Sequence, residues 1–233
     1  MNSPRPVDLS VIIPVLNEGP GIHDALSRVQ ALAGDRLLEL IVVDGDPSGS
    51  TIQAIRGRFV KKLINEQGRA RQMNAGAALA SGPILLFLHA DTLLPENAVQ
   101  LILSAMEDAR IVGGAFTLAI ASKRAIFRIT ERYAALRTRV TGIPFGDQAI
   151  FLRREYFNKL GGYSDIPLME DVELMKRIRK RGDRIAILPE KVLTSARRWE
   201  REGILYCTCR NLLLQILYSF GVSPTRLARW YRS

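Results

Sequence analysis

Cysteine is nearly absent: Cys207 and Cys209, one residue apart, are the only two. That spacing matches no disulfide framework and no common zinc motif, so the chain is expected to work in a reducing compartment. Aromatic residues are sparse at 7%, and no recognised nucleic-acid motif accompanies the basic charge, which argues against a non-catalytic nucleic-acid-binding module. The N-terminus carries Arg5 and Asp8 ahead of a short apolar run ending at Pro14, without the long apolar stretch and cleavage site of a secretory signal. A cytoplasmic location is the expectation. Low-complexity tracts, internal repeats and linker-like stretches are also missing, so nothing marks a boundary between two core-sized domains.

What is present suits one α/β domain. A chain of 233 residues with 47% apolar and 24% charged content can bury a single large core. Lys and Arg outnumber Asp and Glu by 33 to 23, a formal net charge of +10. Such a surface attracts nucleic acid, anionic lipid or phosphorylated small molecules, and charge by itself does not choose among them. Much of the excess is local, around Arg177 to Arg184, at Arg197, Arg198 and Arg201, and at Arg226, Arg229 and Arg232.

Leu9 to Ile13 and Leu38 to Val43 are continuous β-rich apolar runs, as in strands buried on both faces. Between them Ile22, Ala25, Leu26, Val29 and Leu32 recur at helical spacing, which predicts a βαβ unit. The alternation continues with a helix from Ser50 to Arg58, a strand near Leu63, a helix from Ala70 to Leu79 and a strand from Ile84 to Leu88. An open parallel sheet follows, with ligands beyond its carboxyl ends, where Asn17, Glu18, Asp44, Arg71, His89 and Asp91 fall. Further on, strands are predicted at Val112–Ile120, Gln148–Leu152 and Ile185–Leu188, and helices at Lys123–Val140, Asp171–Arg181 and Ile204–Phe220.

The ordered series Pro14-Val15-Leu16-Asn17-Glu18, Val42-Val43-Asp44-Gly45, Gly68 to Gly76, His89-Ala90-Asp91 and Glu170-Asp171 resembles the family 2 glycosyltransferases of the GT-A fold, up to about Gly203. The resemblance implies an open, mostly parallel twisted α/β sheet over residues 1–203, with a helical extension over residues 204–233. It implies metal-dependent, inverting transfer of a sugar from a UDP- or GDP-type donor to a hydroxyl or lipid phosphate. Pro14, Asn17 and Glu18 would line the nucleotide pocket, and Asp44 would hold the base or ribose, with Gly45 where many members carry a second Asp. In His89-Ala90-Asp91, His89 replaces the first acid of the family's D-x-D motif, and Asp91 would bind Mn²⁺ or Mg²⁺. Arg71 is the preferred donor contact at the start of its helix, and Asp171 would be the base. Gly146-Asp147-Gln148 resembles the sugar-pocket stretch, which places Asp147 near sugar hydroxyls. Arg198-Trp199 resembles the tail of a Q-x-x-R-W element whose Gln is Ser195 here, and Arg198 would hold the leaving diphosphate.

Each feature also has a plainer origin. Asp44-Gly45-Asp46-Pro47 has the composition of a turn and helix cap, Glu170 and Asp171 complement a helix dipole, and Gly146-Asp147 is a common turn signal. A nucleotidyltransferase acting on a sugar phosphate is the rival enzyme class, but Val15-Leu16-Asn17-Glu18 is not its Gly-rich basic loop. From Ile204 to Val222 the chain is apolar but broken by Arg210, Asn211 and Gln215, which disfavours a membrane span. Three alternatives stay open for it: packing on the core, packing on a second subunit of a homo-oligomer, or lying on an anionic leaflet near a lipid-linked acceptor.

Overall fold

The computed structural model describes residues 5–57 and 59–232. Strands β1 (Leu9–Val15), β2 (Leu38–Asp44), β3 (Val60–Ile64) and β4 (Ile84–Phe87) run parallel in the spatial order β3-β2-β1-β4. The pleat of β1 sends Val11 and Ile13 to one face and Ile12 to the other, and each face has its own apolar cluster. Helices α1 (Ile22–Ala31) and α4 (Ala98–Ala105) cover the first face through Leu26, Val29 and Ile102. Helices α3 (Arg69–Leu79) and α7 (Glu170–Lys180) cover the second through Met73, Ala77, Met175 and Ile178. Burial on both sides is why these strands are apolar without alternation.

Helix α3 lies unusually close to the sheet. A Cβ added at Gly76 would stand 2.5 Å from Ile12 Cγ2 and 3.1 Å from Val43 Cγ2, so only glycine fits there without a shift. That contact holds the helix directly over β1 and β2 and brings its first turn beside their carboxyl ends.

Beyond β4 the sheet becomes mixed. Strand β7 (Phe151–Arg153) is antiparallel to β4 and to β6 (Ile111–Ala121), β8 (Arg184–Ser195) runs parallel to β6, and β5 (Thr92–Leu93) closes the edge antiparallel to β8. The result is one eight-stranded sheet, β3-β2-β1-β4-β7-β6-β8-β5. Helices α5 (Ala125–Thr141), α8 (Arg197–Glu202), α9 (Ile204–Ser219) and α10 (Pro224–Arg232) gather beside its second half.

Several boundaries differ from the sequence expectation. The helix expected from Ser50 to Arg58 is a single turn, α2 (Ser50–Gln53), because the chain leaves it through Gly57 at φ 83° and Lys62 Nζ donates to the Ile55 carbonyl; Arg58 lies outside the described residues, as does the Arg232 side chain. Gln148 is not in a strand but in a 3-10 turn (Gly146–Gln148), where its amide donates to the Phe116 carbonyl and accepts from the Phe145 N–H. Strand β8 runs well past Leu188: its register with β6 slips between Phe116↔Leu188 and Thr117↔Lys191, looping out Pro189 and Glu190 before pairing resumes. Short helix α6 (Arg154–Lys159), along with α4, α8, α10 and β5, had no predicted counterpart.

Candidate active site

The carboxyl ends of β1 and β2 are joined by one buried side chain. Gln72, one turn into α3, donates through Nε2 to the carbonyls of Val15 and Val43, each at 2.8 Å. Gly45 packs closely beside it, since a Cβ there would stand 3.0 Å from Gln72 Oε1. Asp44 is fully buried, and its carboxylate accepts the amide hydrogens of Asp46, Thr51 and Ile52 at 3.0, 2.9 and 3.2 Å. Asp44 thus holds the turn after β2 and the start of α2 through three accepted amides, at the strand end where a base or ribose contact was expected of it and of Gly45. The turn after β1 places Pro14 partly exposed and Asn17 exposed at φ 57°, a left-handed conformation that Asn tolerates. The Glu18 N–H donates to the Thr51 hydroxyl at 3.1 Å, which ties this turn to the one after β2.

Two cavities meet at the end of β4. A smaller one, about 260 Å³, is lined by Glu18, Ala90, Asp91 and Arg197 among others. A larger one, about 510 Å³, is lined at its polar end by Arg69, His89, Asp91, Asp147, Glu170, Asp171 and Arg198. Among the described residues Asp91 is the only carboxylate bordering both. Its side chain is 35% exposed, and Arg197 stands 3.9 Å from Asp91 and 3.4 Å from Glu18, a movable counter-charge between the two acids. The backbone around Asp91 is fixed, because the Ser195 N–H at the end of β8 donates to the Asp91 carbonyl at 3.2 Å.

Asp171 opens α7 and accepts the Gly146 N–H at 2.6 Å. A Cβ on Gly146 would lie 3.2 Å from both Asp171 Oδ2 and His89 Nε2, so carboxylate and imidazole meet at this glycine. Burial, then the charges of Arg69 and Arg198, push the His89 pKa down to about 3, so its ring is neutral at physiological pH. Burial and the nearby Asp171 raise Asp147 to about 6 and Glu170 to about 7. Carboxyls held out of their usual range in one cleft are what acid–base sites require, although structural clusters can produce the same shifts. Asn17, Ala149 and Met169 are the non-glycine residues with positive φ among the described residues, and each adjoins a stretch that carries site residues.

Arg71 is not in either cavity. It is tied at the surface to Asp165 at 2.9 Å and Glu66 at 2.6 Å, while Arg69 lines the larger cavity and has no side-chain hydrogen bond or ion pair among the described residues. At this helix start Arg69, and not the expected Arg71, lines a cavity. Arg137 is a second cavity residue that had not been singled out. Its guanidinium lies 3.2 Å over the Phe145 ring, and its Nε is buried without a partner. Periodicity could have placed it on the inner side of α5, but not its lack of a carboxylate.

Residues 10–161 match the family described as glycosyl transferase family 2. The chain belongs to glycosyl transferase family 2. It is 31% identical over 220 residues to the probable glycosyltransferase YdaM of Bacillus subtilis, covering 83% of this chain and 50% of that protein. It is also 31% identical over 159 residues to the undecaprenyl-phosphate 4-deoxy-4-formamido-L-arabinose transferase of Aeromonas hydrophila, covering 62% of this chain and 48% of that one. The chain thus spans about half the length of these curated relatives. Its fold is similar to that of S. aureus TarS 1-349 in complex with UDP, with a TM-score of 0.61 at 15% identity, over 81% of this chain and 60% of that one. The fold of this family 2 chain is accordingly the GT-A type, with a sheet that is parallel in its first half and mixed in its second.

Family members commonly use a divalent cation, and the donor set here can be tested against that. Among the described residues no three His, Cys, Asp or Glu side chains form a metal cage. Asp91 offers a part-exposed carboxylate bonded to no other side chain except the long pair with Arg197. One carboxylate with substrate phosphates completing the shell is the usual arrangement for Mg²⁺ and Mn²⁺ in phosphate sites, so the residues fit a donor-completed site.

Proposed function

We propose that this family 2 chain transfers a glycosyl group from a nucleoside-diphosphate sugar, of the UDP or GDP type, to an acceptor hydroxyl or lipid phosphate. The reading is carried by one observation: Asp91, Asp147 and Asp171, from three separate stretches of chain, line a single cavity beyond the carboxyl ends of the sheet. Asp91, bordering both cavities, would hold Mn²⁺ or Mg²⁺, which supplies charge neutralisation for the departing diphosphate. Glu18 and Ala90, which line the smaller cavity, would contact the nucleotide together with Pro14 and Asn17 of the turn after β1, and Arg69, His89 and Arg198 would face its phosphates.

Asp171 acts as the general base. It accepts the acceptor proton as the acceptor oxygen bonds to the anomeric carbon and the bond from that carbon to the diphosphate oxygen breaks. A single in-line displacement inverts the anomeric centre. The Gly146 N–H fixes the carboxylate at 2.6 Å, and Glu170, protonated below about pH 7, limits the negative charge beside it. Asp147 is placed to accept from sugar hydroxyls.

A thermal-shift series with UDP-, GDP- and dTDP-sugars and Mn²⁺ tests the donor and the metal together, because a ligand of the native state raises its melting temperature. A uridine or guanosine nucleotide is expected to give the largest shift, and Asp91→Asn is expected to lose the Mn²⁺-dependent part. Equal shifts in wild type and Asp91→Asn would overturn the metal assignment.

A further inference from the structure

The larger cavity is polar at one end only. Its other end is walled by Ile126, Ile129 and Tyr133 of α5 and by Leu205 and Leu212 of α9. Several of these residues also reach the surface, with Ile129 63% and Leu205 72% exposed. The α5 stripe continues past the cavity through Leu136 and Val140, 62% and 71% exposed, at the four-three-four spacing of one helix face. Contiguous exposed apolar surface marks interaction and membrane sites.

The charge around the face is of one sign. Arg132 and Arg139, seven residues apart on α5, are exposed along one flank of the stripe. The one acid of α5, Glu131, is buried and paired with Arg128. From Gly203 onwards the sequence has no Asp or Glu; Arg226 and Arg229 of α10 are exposed, whereas Arg210 of α9 is largely buried and paired with Glu202 at 2.6 Å. No helix among the described residues is long and apolar enough to cross a membrane. Apolar side chains bordered by arginines and free of exposed acids suit a helix lying in the headgroup region of an anionic bilayer.

We propose that the α5–α9 face docks this protein peripherally on an anionic membrane, with the apolar mouth of the cavity opening towards the acyl chains. A membrane-embedded acceptor would then reach Asp171 head first, with its polar group at the carboxylates and its chain between α5 and α9. The route to the acceptor rests on the glycosyl-transfer reading; the docking itself does not.

The test is co-sedimentation with vesicles of phosphatidylcholine alone and of phosphatidylcholine with phosphatidylglycerol at 7:3, in low and high salt. Binding is expected to the anionic vesicles, weakened by salt, with little to the neutral ones. The double variant Leu136→Glu and Val140→Glu should lower the partition at least tenfold, and Arg132→Gln with Arg139→Gln should lower it by about fivefold per arginine. Neither pair lines the cavity, so the nucleotide-dependent thermal shift should persist in both. Loss of that shift in wild type, with vesicle binding intact, would sink the catalytic reading and leave docking standing. No binding to anionic vesicles at low salt would overturn the docking proposal. So would unchanged binding in the glutamate variant, or a stable dimer in sedimentation equilibrium that Val140→Glu dissociates.

Discussion

Glu39 in the parallel half and Glu170 in the mixed half are both nearly sealed from solvent, at 8% and 6% exposure, and they titrate in opposite directions. For Glu39, burial raises the pKa, but Lys61 at 2.5 Å, Ser10 at 2.6 Å and both the amide and hydroxyl of Ser81 at 2.8 Å outweigh it and bring the carboxyl down to about 2. For Glu170, burial acts with the Asp171 charge, and only Arg69 and its own backbone oppose them, which leaves it near 7. Hydrogen bonding also separates two aspartates: Asp44 accepts three amides in the parallel half, while Asp147 in the mixed half is raised to about 6 by burial and the Asp171 charge. Glu39 and Asp44 hold strand and turn ends together in the parallel half, whereas Asp147 and Glu170 are left under-partnered around a cavity, where a ligand can complete them.

The comparison is broken most severely at Asp171. Asp171→Asn keeps an oxygen for the Gly146 N–H, so the fold should be retained while kcat falls by about 10²–10⁴, the usual contribution of a general base. A rate within a few-fold of wild type in a steady-state assay would remove Asp171 from that role. Glu39→Gln should instead leave the cavity intact and destabilise the protein by about 2–3 kcal/mol in urea unfolding at pH 7, because charged hydrogen bonds to a buried group are lost. Since the folded pKa of Glu39 is depressed, its contribution is present above about 4.5 and fades as pH falls towards 2, so wild type and variant should converge in that window.

Glu170 should behave with the opposite sign. Its folded pKa is raised, so wild type is at no disadvantage below about 4.5 and loses stability as pH rises through 7. Glu170→Gln should therefore melt higher than wild type at pH 8, by about 1–2 kcal/mol in stability, and match it at pH 4.5. The smallest contrast lies between two arginines of one helix. Arg69→Gln should weaken nucleotide-sugar binding about tenfold by calorimetry, while Arg71→Ala, which breaks only surface ion pairs, should change neither affinity nor stability by more than about 0.5 kcal/mol.

Much of the parallel half was legible because its central strands are apolar on both faces and α1 carries a clean 3.6-residue pattern. Legibility stops where tertiary contacts override local pattern. Pro189 suggests the end of a strand, yet β8 resumes after a two-residue slip because β6 offers a partner as far as Ala121. Arg69 and Arg71 differ by about 200° around a helix, and the rotation that turns Arg69 inward is set by the contact of Gly76 with Ile12, which no local signal reveals. The composition around Asp44 suggested a turn and cap beside a ligand contact, and the three amides it accepts show the turn and cap. The motif series located Asp91, Asp147, Asp171, His89 and Arg198 correctly on one cavity, whereas Arg137 lacked any motif to mark it.

The central claim is that Asp91 and Asp171 act on one bound donor from opposite sides of its anomeric carbon. The most direct measurement is a crystal structure with the stabilising nucleotide-sugar and Mn²⁺, using the manganese anomalous signal to locate the ion. The account predicts the ion about 2.1–2.3 Å from an Asp91 oxygen and from donor phosphate oxygens, with the Asp171 carboxylate across the sugar from the leaving diphosphate. Manganese bound away from Asp91, or a sugar that turns its anomeric carbon away from Asp171, would contradict it.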